Sequence, residues 1–431
     1  MKILVIATLL PPYRGSANIR ALNYINYLSR MGHQVDVLGV KYPTDSLQYD
    51  ESLENVFESN VNVYRIDPGA LYKLFYQKKN KTPSLKATKQ KKGLFQRIKP
   101  KINSFIRNNV LILDSYIQWI KPAYKMAVSL QKKNQYDCIF SMHETPSSHI
   151  VAYKLKKKFN YVKWISYWSD PWIGDSLRSF SKARLLIERF LEKKIINNAD
   201  KFLFTSIKTK EMYRERYNID EKKLDIVYRG FDDRLYSKIS CEKADLNGLK
   251  KEKINIVYLG TIYRSLRDIT PFYEALVKLK EKNYEVFSNL NILFIGSFDN
   301  KEDESKLGEL ENVQIIPPIP HYQALRYIVK ADVLLLLGNK KSTQIPGKVY
   351  EYLGSKAIIL TILGDETDEL STLMGNINKG LVILNNSDEI IKSLNDIYFS
   401  IKNRTNNEWN QVIKQFTWEN VVRDLESKLK T

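Results

Sequence analysis

Lys2-Ile3-Leu4-Val5-Ile6-Ala7-Thr8-Leu9-Leu10, running into Pro11-Pro12-Tyr13-Arg14-Gly15, opens the chain. An unbroken apolar run of this length, closed by a Pro/Gly turn, reads as a parallel strand covered on both faces. No cleavage-site pattern follows it, so it does not read as a signal peptide. Ile19, Leu22, Ile25 and Leu28 then recur at helical spacing as far as Arg30, Gly32-His33 stops the helix, and residues 34–40 form the next apolar run. Strand, loop, helix and strand in this order make a βαβ unit, which predicts a right-handed parallel α/β layer.

The same grammar continues outward. Residues 61–66, 137–142, 161–166, 201–205 and 224–228 read as further strands, residues 184–197 as a helix, and Asp114 as the N-cap of a helix through residue 131. The alternation restarts after about residue 236. Strands are expected over 255–260, 291–296, 313–316, 332–337 and 357–361, with helices over 271–281 and 322–329 and the start of another over 348–353. The reading is two tandem α/β domains, 1–235 and 236–405, followed within 406–431 by a closing helix over 412–430.

Composition narrows the class. The chain has 431 residues, 43% of them hydrophobic, enough to build large cores. Cys138 and Cys241 are its only cysteines, far apart and in no metal-ligand spacing, which fits a reducing cytosol rather than a disulfide framework. No stretch approaches the roughly 20 apolar residues that cross a bilayer.

The net charge of +20 is unevenly divided: 42 Lys plus Arg stand against 22 Asp plus Glu up to Leu235, and 26 against 26 after it. Between Asp67 and Asp114 there is no acidic residue and twelve basic ones, including Lys91, Lys92, Arg97, Lys99, Lys101 and Arg107. Leu94, Phe95, Ile98, Ile102, Phe105 and Ile106 interleave with them at helix-like spacing, and Pro100 breaks or starts a helix there. So one-sided a field attracts a polyanion. Juxtamembrane Lys and Arg contribute on the order of 1 kcal/mol each at an anionic surface, and these six are the candidate membrane or acceptor contacts. A solvated lysine-rich loop is the plainer alternative. No recognition motif supports nucleic acid as the partner.

Tandem α/β domains bind ligands at the carboxyl ends of their strands, and the cleft between two such domains is the expected site. Gly15-Ser16 lies after the first strand, just before a helix, where small residues admit a ligand to the helix N-terminus; a plain tight turn reads equally well. Asp170, in Ser169-Asp170-Pro171-Trp172, sits at a strand end, as an acceptor-orienting carboxylate or an ordinary N-cap. In the second domain a strand ends at Gly260-Thr261, with Arg264 and Arg267 beyond. A glycine with arginine forks suits diphosphate oxygens, whose charge grows as a nucleotide–sugar bond breaks. In Ile345-Pro346-Gly347-Lys348-Val349-Tyr350-Glu351, the carboxylate of Glu351 suits the two hydroxyls of a ribose, although the helix dipole alone also favours it there. His321 reads as an ordinary helix-start histidine. An Asp-x-Asp metal motif, a zinc cluster, a P-loop and a Gly-x-Ser-x-Gly elbow are all missing from the sequence.

In this order, Gly32-His33-Gln34-Val35-Asp36-Val37, Tyr136-Asp137-Cys138-Ile139-Phe140-Ser141, Ser169-Asp170-Pro171-Trp172 and Arg229-Gly230-Phe231-Asp232 resemble glycosyltransferase family four of the GT-B superfamily. More narrowly they resemble bacterial capsule, O-antigen or cell-wall polysaccharide transferases. The resemblance implies a GT-B fold, two Rossmann-like domains facing each other across a deep cleft, with the closing helix packing back on the first domain. It implies metal-independent, retaining transfer of a sugar from a nucleotide-sugar, UDP- or GDP-linked, to a glycan or lipid-linked glycan at the cytoplasmic face of the plasma membrane. No cofactor is expected beyond that co-substrate. Gly15 matches the loop that closes over the diphosphate, Arg267 the basic diphosphate ligand, and Glu351 the second glutamate of the Glu-x7-Glu element. Asp170, Arg267 and Lys348 are the implied catalytic residues. Gly15, Ser16, Gly260, Thr261, Arg264, His321, Thr343, Gln344, Gly347, Lys348 and Glu351 join Arg267 as donor-binding candidates. Thr261 stands where the family often has Arg, with Arg264 as the substitute. Thr343 replaces the first glutamate, with Gln344 or Lys348 taking over part of its role. That replacement motivates the alternative of a catalytically weak or inactive GT-B scaffold or partner subunit.

Overall fold

The computed structural model describes residues 1–76, 112–174, 181–242, 246–341, 344–405 and 408–431. The basic run holding Lys91, Lys92, Arg97, Lys99, Lys101 and Arg107, and also Thr343, lie outside the described residues. The chain divides into two compact units, Met1–Val227 with Val422–Thr431, and Tyr228–Val421.

The first unit is built on a seven-stranded parallel sheet in the order β3-β2-β1-β4-β5-β6-β7. Its strands are β1 (Lys2–Ile6), β2 (Gln34–Val40), β3 (Asn62–Ile66), β4 (Cys138–His143), β5 (Lys163–Trp168), β6 (Lys201–Phe204) and β7 (Leu224–Ile226). Helices α1 (Ser16–Arg30), α2 (Ala70–Tyr76), α3 (Ile120–Asn134), α4 (Pro146–Lys158), α5 (Lys182–Ile196) and α6 (Ile207–Tyr217) connect them. Ile3 to Ile6 have no exposed surface, as a central parallel strand covered on both faces requires.

The expected cap at Asp114 is overturned. Helix α3 begins only at Ile120; the Asp114 carboxylate accepts from the Tyr116 amide (2.7 Å) in the turn before it and also from the Ser147 amide (2.9 Å) and hydroxyl (2.7 Å). It thus serves the first turn of α4, whose own N-cap, Thr145, turns its hydroxyl to Thr8 (2.9 Å) and caps no amide. One carboxylate holds both a local turn and the unfilled amide of a distant helix start, neither of them the start of α3.

The second unit repeats the plan with six parallel strands in the order β10-β9-β8-β11-β12-β13. These are β8 (Ile254–Leu259), β9 (Leu290–Ile295), β10 (Val313–Ile316), β11 (Val333–Leu337), β12 (Ile358–Ile362) and β13 (Gly380–Ile383). Around them lie α7 (Asp233–Cys241), α8 (Thr270–Lys282), α9 (Tyr284–Asn289), α10 (Lys301–Gly308), α11 (His321–Lys330), α12 (Lys348–Leu353), α13 (Leu370–Gly375) and α14 (Ser387–Lys402). Apolar clusters fill both faces of this sheet, one around Phe272, Phe294 and Leu335, the other around Tyr352, Leu336 and Val349.

The last helix, α15, spans Trp418–Lys430, shorter than expected. Residues 412–417 lie outside it because they pair with the chain at Phe231: the Phe231 amide donates to the Phe416 carbonyl (2.9 Å) and the Trp418 amide to that of Phe231 (3.0 Å). Its C-terminal part belongs to the first unit, where Glu426 meets His33 at 2.7 Å and Lys428 donates to the Ile226 carbonyl. Among the described residues no helix is long and apolar enough to cross a membrane.

Candidate functional site

In both sheets the strand order reverses beside the first strand, between β1 and β4 and between β8 and β11. Such switch points are where open α/β sheets accept ligands. In the second unit β8 ends at Leu259, and Gly260 follows with φ +114°, a region that glycine enters without steric cost. A Cβ on Gly260 would lie 3.1 Å from Lys348 Nζ. The glycine therefore makes room for that ammonium group, which donates to the Leu259 carbonyl and stands 3.9 Å from the centroid of the Tyr258 ring.

Burial, aided by the positive charge of Arg267, holds Lys348 well below the ordinary lysine range; Glu351 acts in the opposite sense. Arg267 donates through Nη1 to the Thr261 carbonyl (2.7 Å) and reaches the Tyr258 hydroxyl at 3.4 Å, while its buried Nε has no hydrogen-bond partner. Two neighbouring cations that disfavour one another, one with an unused donor, form a site that an anion would complete.

Lys348 and Glu351 are three residues apart on α12 and share a face. Glu351 Oε1 is 2.9 Å from His321 Nε2 at the start of α11, and this hydrogen bond, more than any other influence, raises the imidazole above its usual value. The Tyr236 hydroxyl donates to the Glu351 carbonyl (2.8 Å), fixing that turn of the helix. The structure thus brings Gly260, Thr261, Arg267, Lys348, Glu351 and His321 into one linked neighbourhood.

Arg264 is occupied elsewhere. Its Nη1 lies 3.4 Å from Asp303 and 3.9 Å from Glu302 on α10, its amide donates to Asp299 (2.9 Å), and its side chain is half exposed. Gln344 is partly buried just before α12. Gly347 is kept small by Arg229: a Cβ there would fall 1.8 Å from the guanidinium. In the sequence, Arg229 stands out only within the family-like stretch Arg229-Gly230-Phe231-Asp232. Its signal as a site residue, a contact across more than a hundred positions, is not visible in the local sequence.

The first unit carries the remaining candidates. Gly15 precedes α1 in an extended conformation open to any residue (φ 161°), so what matters is space: a Cβ would lie 2.8 Å from the Tyr13 ring. Ser16 is the first residue of α1. At this unit's switch point Arg20 pairs with Glu144 in a buried ion pair and stands 5.1 Å from the Tyr167 ring centroid. Burial opposes the charge of Arg20, but Tyr167, Glu144, Tyr24 and Asp170 outweigh it and hold the guanidinium firmly protonated. Asp170 receives the Ser169 hydroxyl at 3.2 Å, a group that also reaches the His143 carbonyl at 2.6 Å. Ser181, not Asp170, caps α5.

Two parallel sheets, one of seven and one of six strands in this order, match the GT-B fold of the solved structures that align with the chain. Three solved structures align with the chain over its whole length: a glycosyltransferase from Rickettsia africae (13% identity, TM-score 0.63, 97% of that chain), WaaG, a glycosyltransferase involved in lipopolysaccharide biosynthesis (13%, 0.58, 100%), and an E. coli protein described as trehalose-6-phosphate bound with UDP-2-fluoro glucose (12%, 0.64, 99%). At these identities the likeness speaks for the fold. Residues 88–235 match the family model described as Glycosyltransferase Family 4, so the family-four resemblance holds over that stretch. No curated protein matches the chain.

Proposed function

We propose that the protein is a retaining glycosyltransferase that moves a sugar from a nucleotide-sugar to a glycan or lipid-linked glycan in bacterial surface polysaccharide synthesis, held peripherally at the inner face of the plasma membrane. The observation that carries the donor half is the pairing of Lys348 with Arg267 beside Gly260, at the switch point of the second sheet. Two oxygens of a diphosphate would relieve the mutual repulsion of these cations and engage the unused Arg267 Nε. Glu351, one helical turn along, would accept the ribose hydroxyls.

As the bond from the anomeric carbon to the diphosphate breaks, the leaving oxygens gain charge. Lys348 and Arg267 stabilise that charge without a metal ion, and the departing diphosphate takes the proton of the attacking hydroxyl. In the first unit, Asp170 would orient the acceptor. UDP or GDP is the expected nucleotide. The positive charge of the first half supports the membrane reading, and the likeness to WaaG is in keeping with surface polysaccharide as the product.

A thermal-shift screen with UDP-, GDP- and TDP-sugars tests the reading. One nucleotide should stabilise the chain, and Glu351→Ala should abolish that shift. Donor hydrolysis at the same background rate in wild type and Glu351→Ala, despite a shift, would favour the scaffold reading that Thr343 suggests. No shift with any nucleotide-sugar would sink both.

A further inference from the structure

Helix α5 buries charge among its apolar contacts: besides Ile195 and Ile196, its interior side holds Arg184, Glu188 and Glu192, both carboxylates with no side-chain exposure. Glu188 accepts from Trp172 Nε1 (2.6 Å), from the Leu113 amide (3.1 Å) and from Arg184, while Glu192 receives the Tyr213 and Tyr217 hydroxyls. The outward face is apolar. Leu186, Ile187 and Phe190, which share one side of the helix, are 68%, 43% and 58% exposed.

Basic groups surround them. Lys182, Arg189 and Lys193 are exposed, and Lys194 Nζ lies 4.2 Å from the Phe190 ring centroid. The two acidic residues of the helix are the buried ones, so no acidic side chain of the helix itself offsets the positive rim. Leu113 is bonded to α5 through its amide and through its carbonyl, which accepts from Arg184 Nη2 (2.9 Å). Residues 77–111, just before it, hold eleven Lys or Arg and no Asp or Glu.

Scattered apolar residues on a surface need no explanation, but a contiguous group ringed by one sign of charge does. We propose that this face of α5, Leu186, Ile187 and Phe190 within the rim of Lys182, Arg189, Lys193 and Lys194, docks on an anionic lipid bilayer. Lipid headgroups satisfy the rim while the three apolar side chains enter the boundary between headgroups and acyl chains. A second copy docking symmetrically would set one cationic rim against another. Through Trp172–Glu188 and the Ile173 amide at Glu192 (3.4 Å), the same helix anchors the loop that carries Asp170. Docking would thereby set the height of the candidate acceptor element above the lipid. This inference deepens the membrane reading made above and rests on it.

Vesicle flotation of the full chain at low salt, with phosphatidylglycerol-containing and pure phosphatidylcholine vesicles, tests it. Wild type should float with the anionic vesicles only. Leu186→Ser/Phe190→Ser should cut the bound fraction by about tenfold or more, with melting temperature and donor-induced shift retained. Phe190→Trp should add fluorescence that brominated lipid quenches. If wild type floats, the double variant floats equally and Phe190→Trp is not quenched, the α5 assignment falls and membrane binding lies elsewhere. If wild type does not float with anionic vesicles, both readings fall. If the double variant instead turns a dimer into a monomer by light scattering, without changing flotation, the face belongs to a second copy and the lipid assignment is overturned.

Discussion

The two sheets share one strand order, yet their switch points are finished differently. In the first unit a cation and a carboxylate, Arg20 and Glu144, already neutralise one another in the interior. In the second, Lys348 and Arg267 stand together as like charges, with a glycine opening the backbone beside them. The same topology thus closes one end electrostatically and leaves the other in want of an anion. The fold supplies the place, and the charges set there decide what it does.

The contrast can be broken most severely at Arg20. Arg20→Met takes the cation from a buried carboxylate and should cost about 3–5 kcal/mol of stability, read by chemical denaturation, while the donor-induced shift of the surviving fold is unchanged. Arg267→Met should do the reverse: a melting temperature close to wild type and donor affinity lowered roughly a hundredfold by titration calorimetry, the worth of one or two charge-assisted contacts.

A third cation sharpens the point that burial alone does not make a site. Lys379 has no exposed surface and donates to the Ser355 (2.8 Å) and Trp409 (3.2 Å) carbonyls, and burial lowers it to about 7. Because the unfolded chain holds this proton up to the ordinary lysine value, wild-type stability should climb as pH rises from about 7 towards 10. Lys379→Met should lack that climb, its stability relative to wild type falling by roughly 3–4 kcal/mol across the window, while donor affinity stays the same.

The smallest effect concerns His321. Its raised pKa means that the pair with Glu351 is intact below the unfolded value and lost as pH rises through the folded one. Release of the Glu351 carboxylate should tighten donor binding a few-fold between about pH 6 and 8, and His321→Gln should flatten that profile.

Much of the fold was legible because buried parallel strands are written as apolar runs. The expected strand over 313–316 matches β10 residue for residue, and the helix expected to start at Lys348 does start there, although α12 already ends at Leu353. Helix α14 went unread although Asn386 caps it through the Asp388 and Glu389 amides. Asp114 misled because a capping side chain does not declare which helix it serves. Glycine and arginine at a strand end pointed to Gly260 and Arg267, but nothing local separates Arg267 from Arg264, which α10 claims with acidic residues some forty positions away. Nor could spacing tell the inside of α5 from its outside: Leu186 and Phe190 recur at a helical interval, yet it is Glu188 and Glu192 that are interior, because Trp172, Tyr213 and Tyr217 satisfy them. Periodicity reports a face and leaves its environment open.

The central claim is that the Lys348 ammonium receives the donor diphosphate. An arriving diphosphate restores the charge that burial and Arg267 suppress, so binding should draw a proton from solution. Calorimetric titration of the stabilising nucleotide-sugar into the full chain, in two buffers of different ionisation enthalpy between about pH 7 and 9, should show proton uptake in wild type and none in Lys348→Met, with weaker binding in the variant. Equal affinity and equal proton uptake in both proteins would contradict the account.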